Sequence, residues 1–140
     1  MQQQISVITL GTADLDRSRH FYVEGFGWSP VFENPEIIFY QMNGFVLGTF
    51  RKDALEVDMN RGGLLAPAAF SLAHNVSKKE EVDPLLQRMI DAGGTLLRPA
   101  DEPPHGGFRG YVADPDDHAW EIAWNPAWTI DANGLVTFGL

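Results

Sequence analysis

The sequence contains no cysteine, which removes disulfides, thiolate metal sites and a cysteine nucleophile from consideration. Positive charge is scarce too: ten lysines and arginines stand against nineteen aspartates and glutamates, a formal net charge of −9. Phosphate backbones and anionic lipid surfaces repel such a chain, so neither nucleic acid nor a membrane is expected as a partner. No apolar run approaches the length of a bilayer span, and the start, MQQQISVITLG, lacks the cationic n-region of a signal peptide. A soluble, cytoplasmic protein is the expectation. What is present is 140 residues, 44% of them hydrophobic, enough for one ordinary domain over 1–140 with a proper core.

Along the chain, ISVITLG alternates and is rich in β-branched residues, which predicts a strand ended by Gly11. A helix follows, with Asp14 as N-cap and Leu15, Tyr22 and Phe26 at helical spacing before Gly25 and Gly27 interrupt it. Residues 28–32, 36–42 and 45–50 read as three short strands, the last two joined by an Asn43-Gly44 turn. The second half repeats the order. Residues 68–76 read as a strand, and Val82, Leu85, Leu86, Met89 and Ile90 form an amphipathic stripe that Gly93-Gly94 ends. That helix has two candidate starts, a capping box of Ser77 with Glu80 or Asp83 followed by Pro84. Strands are expected at 95–97, 107–113 and 119–124. The connector from 51 to 67 reads as a loop with room for one helical turn at 53–57, and Asn133-Gly134 marks a small hairpin in the tail. The result is a duplicated βαβββ unit, module one at about 4–51 and module two at about 68–126.

This duplication, together with ITLGTADLDRSRHFYVEGFGW near the start and GYVADPDDHAWEIAWNP near the end, resembles the glyoxalase/bleomycin-resistance/dioxygenase proteins, the vicinal oxygen chelate superfamily. The resemblance runs from about Ile5 to Pro126. It implies an α+β fold in which two βαβββ modules form a curled mixed-sheet cup around a small-molecule ligand, often completed by a second subunit, so a homodimer is expected. Function stays open, because such a scaffold carries lyases, isomerases, dioxygenases, thiol transferases and drug-binding proteins. In metal-dependent members the cup holds an ion on up to four side chains, from the first and last strands of each module. The matching positions here are Val7, Gly48, Ser71 (Ala69 as the alternative) and Glu121. Only Glu121 is a usual ligand, and one carboxylate cannot hold Ni²⁺, Zn²⁺ or Fe²⁺ at useful affinity. No bound metal or other cofactor is therefore expected.

The remaining candidates divide by strand alternation. His74 shares a face with Phe70, Leu72 and Val76 and should pack on the helices, whereas Ser71, Ala73 and Asn75 face the cup. Ser71 and Asn75 are thus candidate ligand-binding residues. Phe108, Arg109 and Tyr111 lie on a strand after a Pro/Gly loop, a place suited to a cup-closing lid or an anion clamp; the plainer reading of Arg109 is the partner of a surface carboxylate. His20, His105 and His118 read as surface or loop residues, and Asp114-Pro115-Asp116 as a turn whose aspartates cap backbone amides. Glu121 is the candidate catalytic and ligand-binding residue. It is either a rim carboxylate paired with an arginine or a lone carboxylate in a partly apolar cup, suited to proton transfer or to gripping a cation, with Ala119 and Ala123 leaving room beside it. The expectation is a protein that binds or sequesters a small molecule, with a cationic one favoured. The alternative is a glyoxalase-like lyase or isomerase, or a dioxygenase-type enzyme, with a non-standard site.

Overall fold

The computed structural model describes Met1 and residues 3–139. Module one opens with β1 (Val7–Thr12), whose burial alternates so that Leu10 and Thr12 point inward while Val7 and Thr9 stay exposed. Asp14 then adopts an extended conformation, and its carboxylate accepts the Arg17 N–H at 3.1 Å, starting α1 (Leu15–His20). The helix does not continue regularly to Phe26. It widens into a π-turn at Phe21–Gly25, which brings two successive bulky residues, Phe21 and Tyr22, to complete burial. Strands β2 (Phe32–Glu33), β3 (Ile37–Gln41) and β4 (Val46–Arg51) complete the module, in sheet order β1-β4-β3-β2.

Module two repeats this with β5 (Leu72–Asn75), a 3₁₀ turn at Lys79–Glu81, helix α3 (Val82–Asp91) and strands β6 (Thr95–Asp101), β7 (Phe108–Ala113) and β8 (Ala119–Trp124), in order β5-β8-β7-β6. The pairs β1–β4 and β5–β8 are parallel and the others antiparallel. Two βαβββ modules with mixed sheets are thus present as expected. Among the described residues no strand of one sheet pairs with the other, so the sheets do not close. Between the modules lies helix α2 (Lys52–Met59), ended by Asn60 in the left-handed conformation. The tail forms a hairpin of β9 (Thr129–Ile130) and β10 (Val136–Thr137).

Several boundaries differ from the sequence reading. Residues 28–31 are not a strand, because Trp28 is drawn into an aromatic stack with Phe26 (4.1 Å between ring centroids, 10° between planes) and Tyr22 (5.9 Å, 11°). β5 starts only at Leu72, opposite Trp120, since β8 begins just before that point. Neither expected start of the second helix is used. The Lys78 N–H donates to the Glu81 carboxylate at 3.0 Å, and the 3₁₀ turn leads into α3.

Both sheets contribute one face to a shared core. Leu10, Ile38, Tyr40 and Leu47 of module one meet Val112, Trp120 and Ile122 of module two, with Phe21, Tyr22, Val82, Leu86 and Met89 in the same cluster. Gly94 fits because a Cβ there would lie 2.8 Å from both the Met89 carbonyl and the Phe21 ring.

The turn after β7 clasps the modules together. Asp114 is 3% exposed; its Oδ1 accepts the Asp116 and His118 N–H groups, each at 2.9 Å, and its Oδ2 accepts the Tyr22 hydroxyl at 2.7 Å. Trp120 Nε1 donates to the same hydroxyl at 3.2 Å. Asp116 accepts from Thr12 Oγ1 (2.5 Å), the Ala13 N–H (2.8 Å) and Arg17 Nη2 (3.1 Å), all from the start of module one. His118 lies in the loop after the turn, as the sequence reading has it, but half-buried, and its Nε2 donates to the Gly11 carbonyl at 2.8 Å. The aspartates do cap amides, as the turn reading expects, but three side chains of the 114–118 turn, Asp114, Asp116 and His118, also join the halves.

Candidate functional site

The faces turned away from this core carry the residues marked by the sequence. In the second sheet Glu121 stands between Ala73 on β5 and Tyr111 on β7, its direct cross-strand neighbours. The Tyr111 hydroxyl donates to Glu121 Oε2 at 2.7 Å, and that bond, with partial burial, raises the pKa of the phenol. Among the described residues Glu121 Oε1 has no hydrogen-bond partner. Two residues along, on the same face, Arg109 lies opposite Ala123 and pairs with Asp101, which also holds Arg98 Nη2 at 2.6 Å. Of its two readings, Arg109 thus follows the plainer one, pairing with a nearby carboxylate. Ser71 is exposed just ahead of β5, and Asn75, half-buried, lies opposite Ala123.

Glu121 therefore has Tyr111 as its immediate partner, with the Arg109–Asp101–Arg98 cluster nearby along β6 and β7. The sequence reading places Tyr111 on the candidate strand with Arg109 but misses its bond to Glu121, and it misses Asp101 altogether. The signal for Tyr111 lay in the strand–turn–strand reading of 107–124, since a hairpin closed at 114–118 sets Tyr111 opposite Glu121.

His74 sits on the other face, as alternation predicts. Its ring meets Phe26 edge-on at 5.4 Å and 64°, its strand neighbour is Ile122, and burial lowers its pKa. It does not join Glu121. At the other positions matched to metal ligands, Val7 lies opposite Val46 and Gly48 opposite Thr9 and Phe39, and neither supplies a donor. Ser71 offers only a hydroxyl, which leaves Glu121 as the one carboxylate, with one of its oxygens bonded to Tyr111. Among the described residues no group of three or more His, Asp or Glu is arranged to hold an ion. The donors do not fit the metal of the metal-dependent vicinal oxygen chelate enzymes.

A family model of the Glyoxalase/Bleomycin resistance protein/Dioxygenase superfamily matches residues 4–122. The chain belongs to this superfamily. It is similar to a glyoxalase-related enzyme from Fulvimarina pelagi at 60% identity and a TM-score of 0.97, with 99% of this chain and 100% of that one covered. More distant structures share the fold alone. A lactoylglutathione lyase from Agrobacterium tumefaciens is 22% identical, with a TM-score of 0.71 over 94% of this chain and all of that one. The genomically encoded fosfomycin resistance protein FosX from Listeria monocytogenes is 22% identical, with a TM-score of 0.69 over 89% of this chain and 95% of that one. No helix among the described residues is long and apolar enough to cross a membrane.

Proposed function

We propose that this superfamily member binds a small organic molecule on the open face of its second sheet, without a metal, and that Glu121 receives a cationic or hydrogen-bond-donating group of that ligand. The observation that carries this reading is the Glu121–Tyr111 pair. The tyrosine hydroxyl fixes one carboxylate oxygen at 2.7 Å and leaves the other to accept from a ligand, between the small side chains of Ala73, Ala119 and Ala123. A charge-assisted bond there is stronger than a neutral one, and the overall charge of −9 favours a cation's approach. The arginines of the same face already share Asp101.

The open faces expose apolar side chains, Val7 at 47% and Phe32 at 49% among them. A second copy of the chain covering them in a homodimer is part of the proposal. A second reading, a glyoxalase-type lyase or isomerase in which Glu121 transfers a proton, draws support from the name of the Fulvimarina pelagi protein, a glyoxalase-related enzyme.

The test is calorimetric titration of benzylammonium, benzoate and benzamide against wild type, Glu121→Gln and Tyr111→Phe. The ammonium should bind best, and Glu121→Gln should weaken it by at least about 1 kcal/mol, the scale of one such hydrogen bond. Unchanged ammonium affinity in Glu121→Gln would make the carboxylate a structural group. A proton-transfer role would show instead as turnover of an α-carbonyl thioether or hemithioacetal that Glu121→Gln abolishes.

A further inference from the structure

The helices do not fill the whole space between the two sheets. At one end a half-open cavity of about 590 Å³ remains, within the range of about 300–1,000 Å³ typical of sites for organic ligands. Its walls come largely from the core-side faces, with Ile8 and Leu47 from module one and Leu72 and Trp120 from module two, and Trp28 beside them; at the edge strand β5 they also take in Ala73 and Asn75, which alternate onto the Glu121 side. None of Glu121, Tyr111 or Arg109 lines it. Trp28 and Trp120 meet at 5.7 Å with planes 68° apart, an aromatic corner in which a flat ring can stack on one indole and meet the other edge-on.

Among the described residues the lining contains no aspartate, glutamate, lysine or arginine. Its polar groups are the amides of Gln41, Asn43 and Asn75 and the imidazole of His74, whose charged form burial disfavours. A charged ligand would lose its hydration here with no countercharge to offset the loss. An uncharged one gains apolar contact and finds both donors and acceptors in the amides.

The roof is the hairpin of β9 and β10, through Ile130, Gly134, Leu135 and Val136. It lies beyond residues 4–122, the stretch shared with the family model. The hairpin is built largely on itself, with Asp131 Oδ1 accepting from the Asn133 and Leu135 N–H groups. A hydrogen bond from Asn43 Nδ2 to the Asn133 carbonyl, 3.0 Å long, ties it to module one. Two-residue strands and, among the described residues, one exposed side-chain hydrogen bond to module one make a cover that can lift by local opening, without unfolding the modules.

We propose that this cavity is a binding site for a planar, uncharged aromatic molecule, distinct from the Glu121 face, with the C-terminal hairpin as its lid. The test uses one ring system in three charge states: 2-naphthamide, 2-naphthoate and 2-naphthylmethylammonium. Affinity is read by calorimetry, and location by the tryptophan indole N–H signals in ¹H–¹⁵N spectra. The amide should bind at least tenfold more tightly than either ion and shift the Trp28 and Trp120 signals while leaving Trp124 in place. Leu72→Trp, which fills the cavity, should abolish amide binding. Val136→Lys, at a roof position 47% exposed and therefore safe for folding, should weaken it at least fivefold.

Glu121→Gln should leave the amide untouched, and this separates failure here from failure of the Glu121 reading. Three results would each overturn the proposal: no amide binding, equal affinity across the three charges, or loss of amide binding in Glu121→Gln with full affinity in Val136→Lys.

Discussion

Tyr22→Phe removes one oxygen atom from the interior and nothing else. That oxygen donates to Asp114 at 2.7 Å and accepts from Trp120 Nε1 at 3.2 Å, and all three residues are at most 4% exposed. The ring stays, so the stacks on Phe26 and Trp28 survive. A hydrogen bond to a charged acceptor is worth about 1.5–3 kcal/mol and a neutral one about 1 kcal/mol. The two backbone N–H groups on Asp114 Oδ1 remain, so the carboxylate keeps part of its solvation, and the expected loss is about 3 kcal/mol. For a chain of this size that lowers Tm by about 10 °C. In urea the midpoint should fall with an unchanged slope, because the surface exposed on unfolding is the same. The pH dependence gives an independent check. Burial raises the Asp114 pKa, while its contacts with His118 and the Tyr22 hydroxyl pull it back; without the hydroxyl it rises further. A folded-state pKa above the unfolded one means that the folded protein takes up the proton more readily, so acidification relieves the cost of burying the charge. The deficit of Tyr22→Phe should therefore be largest near neutral pH and shrink as Asp114 protonates. A loss below about 0.5 kcal/mol at pH 7, within the range of an ordinary surface substitution, or a deficit that grows on acidification, would refute the reasoning.

Incubation with Ni²⁺, Zn²⁺ or Mn²⁺ followed by gel filtration and elemental analysis should leave well below one ion per chain, in wild type and Glu121→Ala alike; stoichiometric retention lost in the variant would show donors assembling around Glu121. Light scattering at micromolar concentration should give about twice 15.5 kDa, and a monomer would remove the second copy from the open faces.

Much of this arrangement is legible in the sequence because alternation in a strand is a local property. The face reading separates His74 from Glu121, and the structure keeps them on opposite sides of the second sheet. Asp14 announces α1 through a bond three residues long. What escapes is the contact made across long separations. Nothing near Tyr22 indicates that its hydroxyl meets a carboxylate 92 positions away, and nothing near His118 points to Gly11. Helix α2 is legible only as the single turn at 53–57, for a different reason: Leu55 is its buried residue, so no apolar stripe marks its full length. The π-turn escapes because a single inserted residue shifts the phase of a helical pattern without erasing it. The cavity is invisible to alternation as well, since its wall residues read as ordinary core. Only the shape of the packing shows that the space between them is unfilled.

The turn at 114–118 binds module two to module one through side chains and amides, while the peptide that links the modules runs outside. Residues 60–71 are exposed except for half-buried Leu64. Asp114, Asp116 and His118 do not distinguish a Tyr22, Thr12 or Gly11 of their own chain from those of another copy. Two chains that traded second modules would rebuild the same buried contacts, and the balance between the traded and untraded forms would rest on concentration and on how far the linking segment can stretch. Shortening that segment below the span it now covers should drive the chain into intertwined pairs, whereas lengthening it should release them.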